Sequence, residues 1–194
     1  MVERQHTTKK VTVVALLSAV AGILMFLEFP IPFLIPSFVK MDLSELPALL
    51  ASFAYGPVAG VAVCLIKNLV KLVSTASGGV GELCNFALGI CFVLPAGWIY
   101  RKHRTKKGAV IGSAVGVLLM AAASFPINLF ISYPIYTKIY PLETILSLYR
   151  KLLPFVKTLP QCLLLFNVPF TLLKGALDTL LVFLIYPRVR KLLH

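Results

Sequence analysis

The stretch LPALLASFAYGPVAGVAVCLIKNLVKLV, residues 46–73, decides how many helices the chain forms. It is almost continuously apolar, but Gly56-Pro57 in its middle is a turn signal, and proline is favoured at the first position of a new helix. The stretch therefore predicts two helices, over residues 43–55 and 57–73. The first measures about 20 Å at 1.5 Å per residue, less than the ~30 Å hydrocarbon core of a bilayer, so we expect it to begin within the preceding loop.

The composition indicates an integral membrane protein. Of the 194 residues, 59% are hydrophobic and 13% charged, and the mean hydropathy is +0.91. A soluble domain of this length could not bury so much apolar surface, so we predict an all-α bundle that spans a membrane. The formal charge of +12 comes from cations that flank the apolar runs, which argues against nucleic-acid binding. The four cysteines lack the spacing of metal ligands and are interpreted as core residues.

The distribution of charge fixes the predicted number of spans. With five helices, the basic loop RKHRTKKG, residues 101–108, would lie on the outer face, against the positive-inside rule. Splitting the stretch at Gly56 gives six helices, with the loop and both termini cytoplasmic.

The basic N-terminus and the apolar run after it resemble a signal peptide, but no cleavage site follows, so we interpret them as a retained first helix. The predicted spans in a single membrane domain, 1–194, are 11–28, 43–55, 57–73, 82–101, 108–132 and 160–186.

Two segments between the predicted spans are expected on the outer side. The segment FPIPFLIPSFVKMD, residues 29–42, is stiffened by prolines and suits a lid over a cavity, although an interfacial aromatic belt has a similar composition. Residues 142–156, LETILSLYRKLLPFV, have apolar residues at roughly helical spacing. We predict an amphipathic helix at the outer interface that serves as a connector.

Polar side chains gather at the outer ends of the predicted helices. Because an unpaired polar group in hydrocarbon is costly, each is a candidate for function. The cluster predicts a ligand pocket that opens outward. Its candidates are Asp42, Glu45, Lys67, Asn68, Lys71, Glu82, Asn85, Asn128, Asn167, Thr171 and Lys174.

Several of these groups have a structural interpretation as well. Lys174 lies one turn from Asp178 and could simply pair with it, but Asn128 on another helix favours a lined pocket. For Lys67 and Lys71 we favour snorkelling, in which each ammonium reaches the interface from a helix end. Glu82 follows GGVG, so it could either accept backbone amides at a helix start or contact a ligand.

The chain lacks the motifs of common enzymes. It contains no GxxxxGK[ST], HExxH or GxSxG pattern, and its three histidines lie outside the predicted spans, so we expect no enzyme activity, no catalytic cofactor and no metal site. Asp178 is the one carboxylate deep in a predicted span, which suits an ion-coupled transporter poorly. A substrate-capturing subunit that other proteins power fits better.

Helix 1 carries small residues on one face. Ala15 and Ala19, and likewise Ser18 and Gly22, are four residues apart. Small-xxx-small faces allow another helix to approach closely. Internal packing and docking to a partner both explain the pattern.

Four motifs together resemble a known family. The segments VKMDLSELPALLASFAYGPVAGVAVCLIKNLVKLV, GGVGELCNF, FVLPAGWIY and PFTLLKG occur in this order between residues 39 and 175. They resemble the riboflavin-specific substrate-binding (S) components of energy-coupling factor (ECF) transporters, and the likeness runs from about 11 to 186. The first two motifs are specific to the flavin branch, whereas Ala15-xxx-Ala19 is shared by S components generally.

The resemblance implies a six-helix protein of the cell membrane that binds riboflavin at its extracellular side, beneath the first outer loop. It implies docking, partly through helix 1, onto a transmembrane coupling (T) component that carries two ATPases, and delivery by toppling of the S component. At position 171 the family pattern has asparagine where this chain has threonine. The ligand contacts implied by the resemblance are Met41, Asp42, Leu43, Asn128, Thr171 and Lys174, and Glu82 and Asn85 lie in its matching segment.

We therefore predict a riboflavin-binding transport subunit, with Asn167 added to the ligand contacts because it lies on the same helical stripe as Thr171 and Lys174. The alternatives are an S component for a different vitamin and a small secondary transporter.

Overall fold

The computed structural model describes residues 2–75, 77–138 and 140–193, and confirms the prediction of a helical bundle. Besides the helices, a two-stranded antiparallel ribbon joins β1 (Phe29–Pro30) to β2 (Lys40–Met41). The helices of the described residues are α1 (Val2–Phe26), α2 (Glu45–Tyr55), α3 (Pro57–Lys71), α4 (Val80–Lys102), α5 (Lys106–Ile127), α6 (Tyr133–Tyr136), α7 (Leu142–Arg150), α8 (Leu159–Cys162) and α9 (Val168–Leu193).

Short irregular turns extend these helices into longer rods. A 3₁₀ turn, Leu72–Ser74, continues α3. The π-helical turn Asn128–Ser132 joins α5 to α6, and a second π-helical turn, Leu163–Asn167, joins α8 to α9. Within the described residues, five segments are long and apolar enough to cross a membrane, and their bounds are 7–26, 57–74, 80–102, 106–136 and 159–188.

Helix α2 is the centre of the bundle. It ends at Tyr55, and Gly56 takes a φ of +94° before α3 begins at Pro57, so the structure breaks the helix at the predicted dipeptide. α2 has 11 residues, about 16 Å at 1.5 Å per residue, and is not among the five segments of spanning length. It packs against α1, α3, α4 and α9, and nine consecutive residues from Glu45 to Phe53 are buried. An apolar helix that is buried on all sides is expected at a core.

Helices α4 and α5 form a hairpin in which the two backbones touch. Thr105 caps the start of α5 by accepting a hydrogen bond from Gly108 N at 3.0 Å. A Cβ atom at Gly116 would lie 2.4 Å from Phe92 O, and one at Gly112 would lie 2.7 Å from Ala96 O. Only glycine fits at these contacts, which hold the two helices at close range.

We predict that Gly116→Ala destabilises the fold, because the added methyl group forces the two backbones apart. Overpacking of this kind costs about 1–3 kcal/mol, which lowers the apparent melting temperature in detergent. Gly22→Ala is the matched control, since a Cβ there would meet Val70 at 3.7 Å, an ordinary contact. Equal melting temperatures for the two variants would contradict the predicted close packing.

Candidate ligand-binding site

A cavity of about 300 Å³ lies at one end of the bundle, between the loop that connects α1 to α2 (residues 27–44, the first loop) and the ends of the rods. Its apolar wall includes Met25, Phe38, Leu88, Met120 and Phe170. The polar side chains that line it are Glu28, Lys40, Asp42, Glu45, Lys71, Ser74, Ser77, Glu82, Asn85, Asn128, Ser132, Tyr133, Tyr136, Asn167, Thr171 and Lys174.

The two π-helical turns supply asparagines to this wall. A π-helical turn inserts an extra residue and shifts the side chains around the helix, and such turns are frequent at functional sites. Asn128 begins the first of these turns, and its Nδ2 donates to Ser124 O at 2.7 Å. Asn167 ends the second. Both side chains line the cavity.

The ammonium of Lys174 forms a direct ion pair with the first loop at the cavity wall. Its Nζ lies 2.7 Å from Asp42 Oδ2, and the two side chains are only 10% and 7% exposed. The other oxygen of Asp42 accepts from Ser44 N at 2.9 Å and from the Ser44 hydroxyl. The structural alternative considered from sequence, a pair with Asp178, is wrong: within the described residues the Asp178 oxygens have no hydrogen-bond partner.

A second ion pair lies immediately beside the first. Lys67 Nζ is 2.6 Å from Glu45 Oε1 and donates to Ser44 Oγ at 2.6 Å. The expectation that Lys67 snorkels to an interface is wrong, because its side chain is completely buried against the start of α2. Lys71 lies one turn further along α3. Its Nζ is 3.3 Å from Glu28 Oε1 and lies over the face of the Phe26 ring.

These charges balance one another in a buried region beside the cavity. Burial by itself raises the pKa of Asp42, but the nearby ammonium groups of Lys174 and Lys67 outweigh it and hold the pKa below its ordinary value. Asp42 is therefore a carboxylate. Removing one partner of a buried pair leaves an uncompensated charge, which is far more destabilising than the pair itself is stabilising.

Glu82 holds the loop before α4 rather than the backbone at its start. Its Oε2 accepts from Thr75 Oγ1 and from Ser77 Oγ, each at 2.9 Å. The same two hydroxyls accept the backbone N–H groups of Gly79 and Gly81 at 3.0 and 2.9 Å. The interpretation of Glu82 as a direct cap of backbone amides is thus wrong, and its carboxylate borders the cavity.

The structure brings together most of the residues predicted to contact a ligand. Met41 and Leu43 are the exceptions. Successive side chains of the extended segment around β2 point to opposite faces, so Lys40 and Asp42 border the cavity while Met41 packs with Ile35 and Tyr133. The predicted residues on the wall are Asp42, Glu82, Asn85, Asn128, Asn167, Thr171 and Lys174.

Some lining residues were missed by the sequence reasoning. Tyr133 and Tyr136 follow Asn128 by five and eight residues, but they were assigned to the connector after the fifth predicted span. Glu45 was noted as a polar candidate and left out of the contacts. Its position one turn after Asp42 was the available signal.

An apolar groove lies between α1 and α3, and its lining shares no residue with that of the cavity. Its volume is about 440 Å³, and Ile66 and Val70 form its α3 side. All four small residues predicted to dock a partner border it, and the α1 side consists of Ala15, Ser18, Ala19, Gly22, Ile23 and Phe26.

Comparison with known proteins gives consistent results over nearly the full chain. Residues 9–186 match the model of the family "ECF transporter, substrate-specific component". The chain is 33% identical over 185 residues to the riboflavin transporter RibU of Staphylococcus aureus, covering 95% of this chain and 92% of that protein. It is 38% identical over 132 residues to the riboflavin transporter FmnP of Bacillus subtilis, covering 66% and 69%. A solved structure described as "Structure and mechanism of the S component of a bacterial ECF transporter" superposes with a TM-score of 0.76 at 31% identity, covering 96% of this chain and 98% of that one.

We predict that Asp42→Asn lowers the stability of the fold by about 3–5 kcal/mol, because it leaves the Lys174 ammonium buried without a counter-charge. The melting temperature in detergent measures the effect, and the double variant Asp42→Asn/Lys174→Met is expected to recover part of the loss. Glu143→Gln is the control: its pair with Arg150 is 77% and 40% exposed, so the change is expected to stay within about 0.5 kcal/mol. Equal losses for Asp42→Asn and Glu143→Gln would rule out a structural role for the buried pair.

Proposed function

The chain belongs to the substrate-specific components of ECF transporters, and we propose that the vitamin it binds is riboflavin. The observation that carries the proposal is the cavity itself, since seven side chains predicted to contact a flavin line one space beneath the first loop. Its volume lies at the lower end of the range of about 300–1,000 Å³ typical of ligand pockets. The names of the two relatives, both riboflavin transporters, support the same substrate.

The chemistry of the wall suits a flavin. An isoalloxazine ring has flat apolar faces and an edge of carbonyl oxygens and nitrogens, and the ribityl chain adds hydroxyl groups. Met120 and Phe170 offer apolar surface to the ring faces, while Asn128 and Asn167 offer amides to its edge. Glu82 and Asn85 offer acceptors for the hydroxyl groups.

Lys174 retains donors for a ligand although it is paired. An ammonium has three N–H bonds, and one of them is directed to Asp42. The remaining two face a cavity in which flavin oxygens accept them. Burial of this ammonium is tolerated because Asp42 neutralises it and a polar ligand completes its hydrogen bonds.

Thr171 marks a difference from the family pattern. Its hydroxyl donates to Asn167 O at 2.8 Å, one helical turn back. The oxygen is left as an acceptor, so we propose that Thr171 receives a hydrogen bond from the ligand, whereas asparagine could also donate one.

The chain is a multi-pass protein of the cell membrane. We propose that α2 completes a bundle of six membrane helices as a short, enclosed member. With both termini and the basic loop 101–108 cytoplasmic, the positive-inside rule is satisfied and the cavity opens to the extracellular side.

Release of the vitamin into the cell requires partners. We propose that a T component and two ATPases supply the energy, while this chain binds substrate and hydrolyses no ATP. The α1–α3 groove is the proposed docking surface, because Ala15, Ala19 and Gly22 let a partner helix approach the backbone. Toppling of the docked chain would then present the vitamin to the cytoplasm.

We predict that the purified protein binds one riboflavin and quenches its fluorescence, because the cavity wall holds the phenols of Tyr133 and Tyr136, which quench an excited flavin by electron transfer. A titration in detergent measures it, with thiamine and biotin as controls. Binding of another vitamin in place of riboflavin would favour the alternative S component. Uptake that persists without ATPases but needs an ion gradient would favour a secondary transporter.

We predict that Ala19→Trp abolishes riboflavin uptake by cells and leaves binding unchanged, because the indole fills the groove and Ala19 does not line the cavity. Leu16→Trp is the matched control, since Leu16 is 63% exposed and does not border the groove. Uptake that is equal in the two variants would show that the partner docks elsewhere.

A further inference from the structure

Tyr149 connects helix α7 to the cavity without lining it. α7 lies outside the five segments of spanning length, and Ile145, Leu146 and Tyr149 form its buried face. The Tyr149 ring is completely buried and packs at 5.2 Å from Phe166 and edge-on at 6.1 Å from Phe38, measured between ring centroids. The sequence predicted a connector here, but the polar end of this side chain reaches the ligand wall.

The hydroxyl of Tyr149 belongs to a closed ring of three hydrogen bonds. It lies 2.7 Å from Asn167 Oδ1 and is also hydrogen-bonded to the Tyr133 hydroxyl. Asn167 Nδ2 lies 3.5 Å from Tyr133 Oη and closes the ring. Tyr133 and Asn167 both line the cavity.

The distances determine the direction of each hydrogen bond. O–H···O bonds are typically shorter than N–H···O bonds. The shorter contact, from the Tyr149 hydroxyl, is therefore with the oxygen of the Asn167 amide, and the longer contact, from the Tyr133 hydroxyl, is with its nitrogen. Tyr149 therefore donates to Asn167 Oδ1. A phenol has one hydrogen, so the Tyr133 hydroxyl must donate to Tyr149 and accept from Asn167 Nδ2.

One hydrogen of the Asn167 amide is left over. We infer that Tyr149 is a positioning residue, which holds the Asn167 amide so that the second N–H of Nδ2 donates to an acceptor of the bound ligand; this inference rests on the proposed function. Asn167 is only 5% exposed and lines the cavity, so the acceptor of that hydrogen lies inside the cavity, where the ligand is proposed to bind. On a flavin the acceptors are the ring carbonyls and the unprotonated ring nitrogens.

Without Tyr149 the amide would lose its fixed orientation. The carbonyl oxygen could then turn towards the ligand edge, where it would face another acceptor. Through Tyr149, helix α7 thus decides that the wall of the site presents a donor rather than an acceptor to the ligand at this point. The helix also covers that side of the bundle.

The test is a double-mutant cycle on riboflavin affinity, measured by fluorescence quenching. Tyr149→Phe is expected to weaken binding about tenfold, the effect of one buried hydrogen bond. If Tyr149 acts through Asn167, then Asn167→Ala and the double variant bind equally weakly, since coupled residues are non-additive. Tyr140→Phe, which removes an exposed hydroxyl from the same segment, is expected to bind as the wild type does.

Two non-natural residues separate positioning from packing. At position 149, 4-aminophenylalanine keeps a donor and is expected to bind within about threefold of wild type, whereas 4-fluorophenylalanine lacks one and is expected to show the tenfold loss. This pair also decides the matter if Tyr149→Phe does not fold. Additive losses in the cycle, or equal affinities for the amino and fluoro variants, would overturn the inference alone. A wild-type protein that ignores riboflavin would overturn the proposed function and this inference together.

Discussion

The structure depends on how charge is buried at the start of α2. Asp42, Ser44 and Glu45 come from one short segment, and the ammonium groups that they bind come from α3 and α9. If either ion pair separated, each of its two charged groups would remain in surroundings that solvate it poorly. The two ion pairs therefore tie the first loop, α2, α3 and α9 together at one level of the bundle, and Asp42, Glu45 and Lys174 of that level line the cavity.

In the proposed function, ligand binding and stability depend on the same groups. Lys174 uses one donor to hold the loop and keeps two for the cavity, and Asp42 remains a carboxylate that faces the same space. The amides of Asn128 and Asn167 reach the wall because the rods contain π-helical turns. A site built in this way is preorganised, so a ligand meets donors and acceptors that are already oriented.

Local signals in the sequence were sufficient to predict the helical bundle, its helix break and several polar residues that line one cavity. Gly56-Pro57 marks the helix break, and the gathering of polar residues at helix ends marks the cavity. The sequence did not reveal which charged side chains form ion pairs, because tertiary packing decides which of them meet. The i,i+4 spacing suggested Asp178 as a partner for Lys174, whereas the partner in the structure is 132 residues away. The short extended segment at β2 likewise turns Met41 from the cavity, although Asp42 beside it faces inward.

The most direct test of the central claim is an experimental structure of the riboflavin complex. We expect one isoalloxazine ring in the cavity beneath the first loop, with Lys174 Nζ within hydrogen-bond distance of both Asp42 and a ligand oxygen. A vitamin bound elsewhere on the chain, or a Lys174 side chain that turns away from the ligand towards Asp178 or lipid, would contradict it.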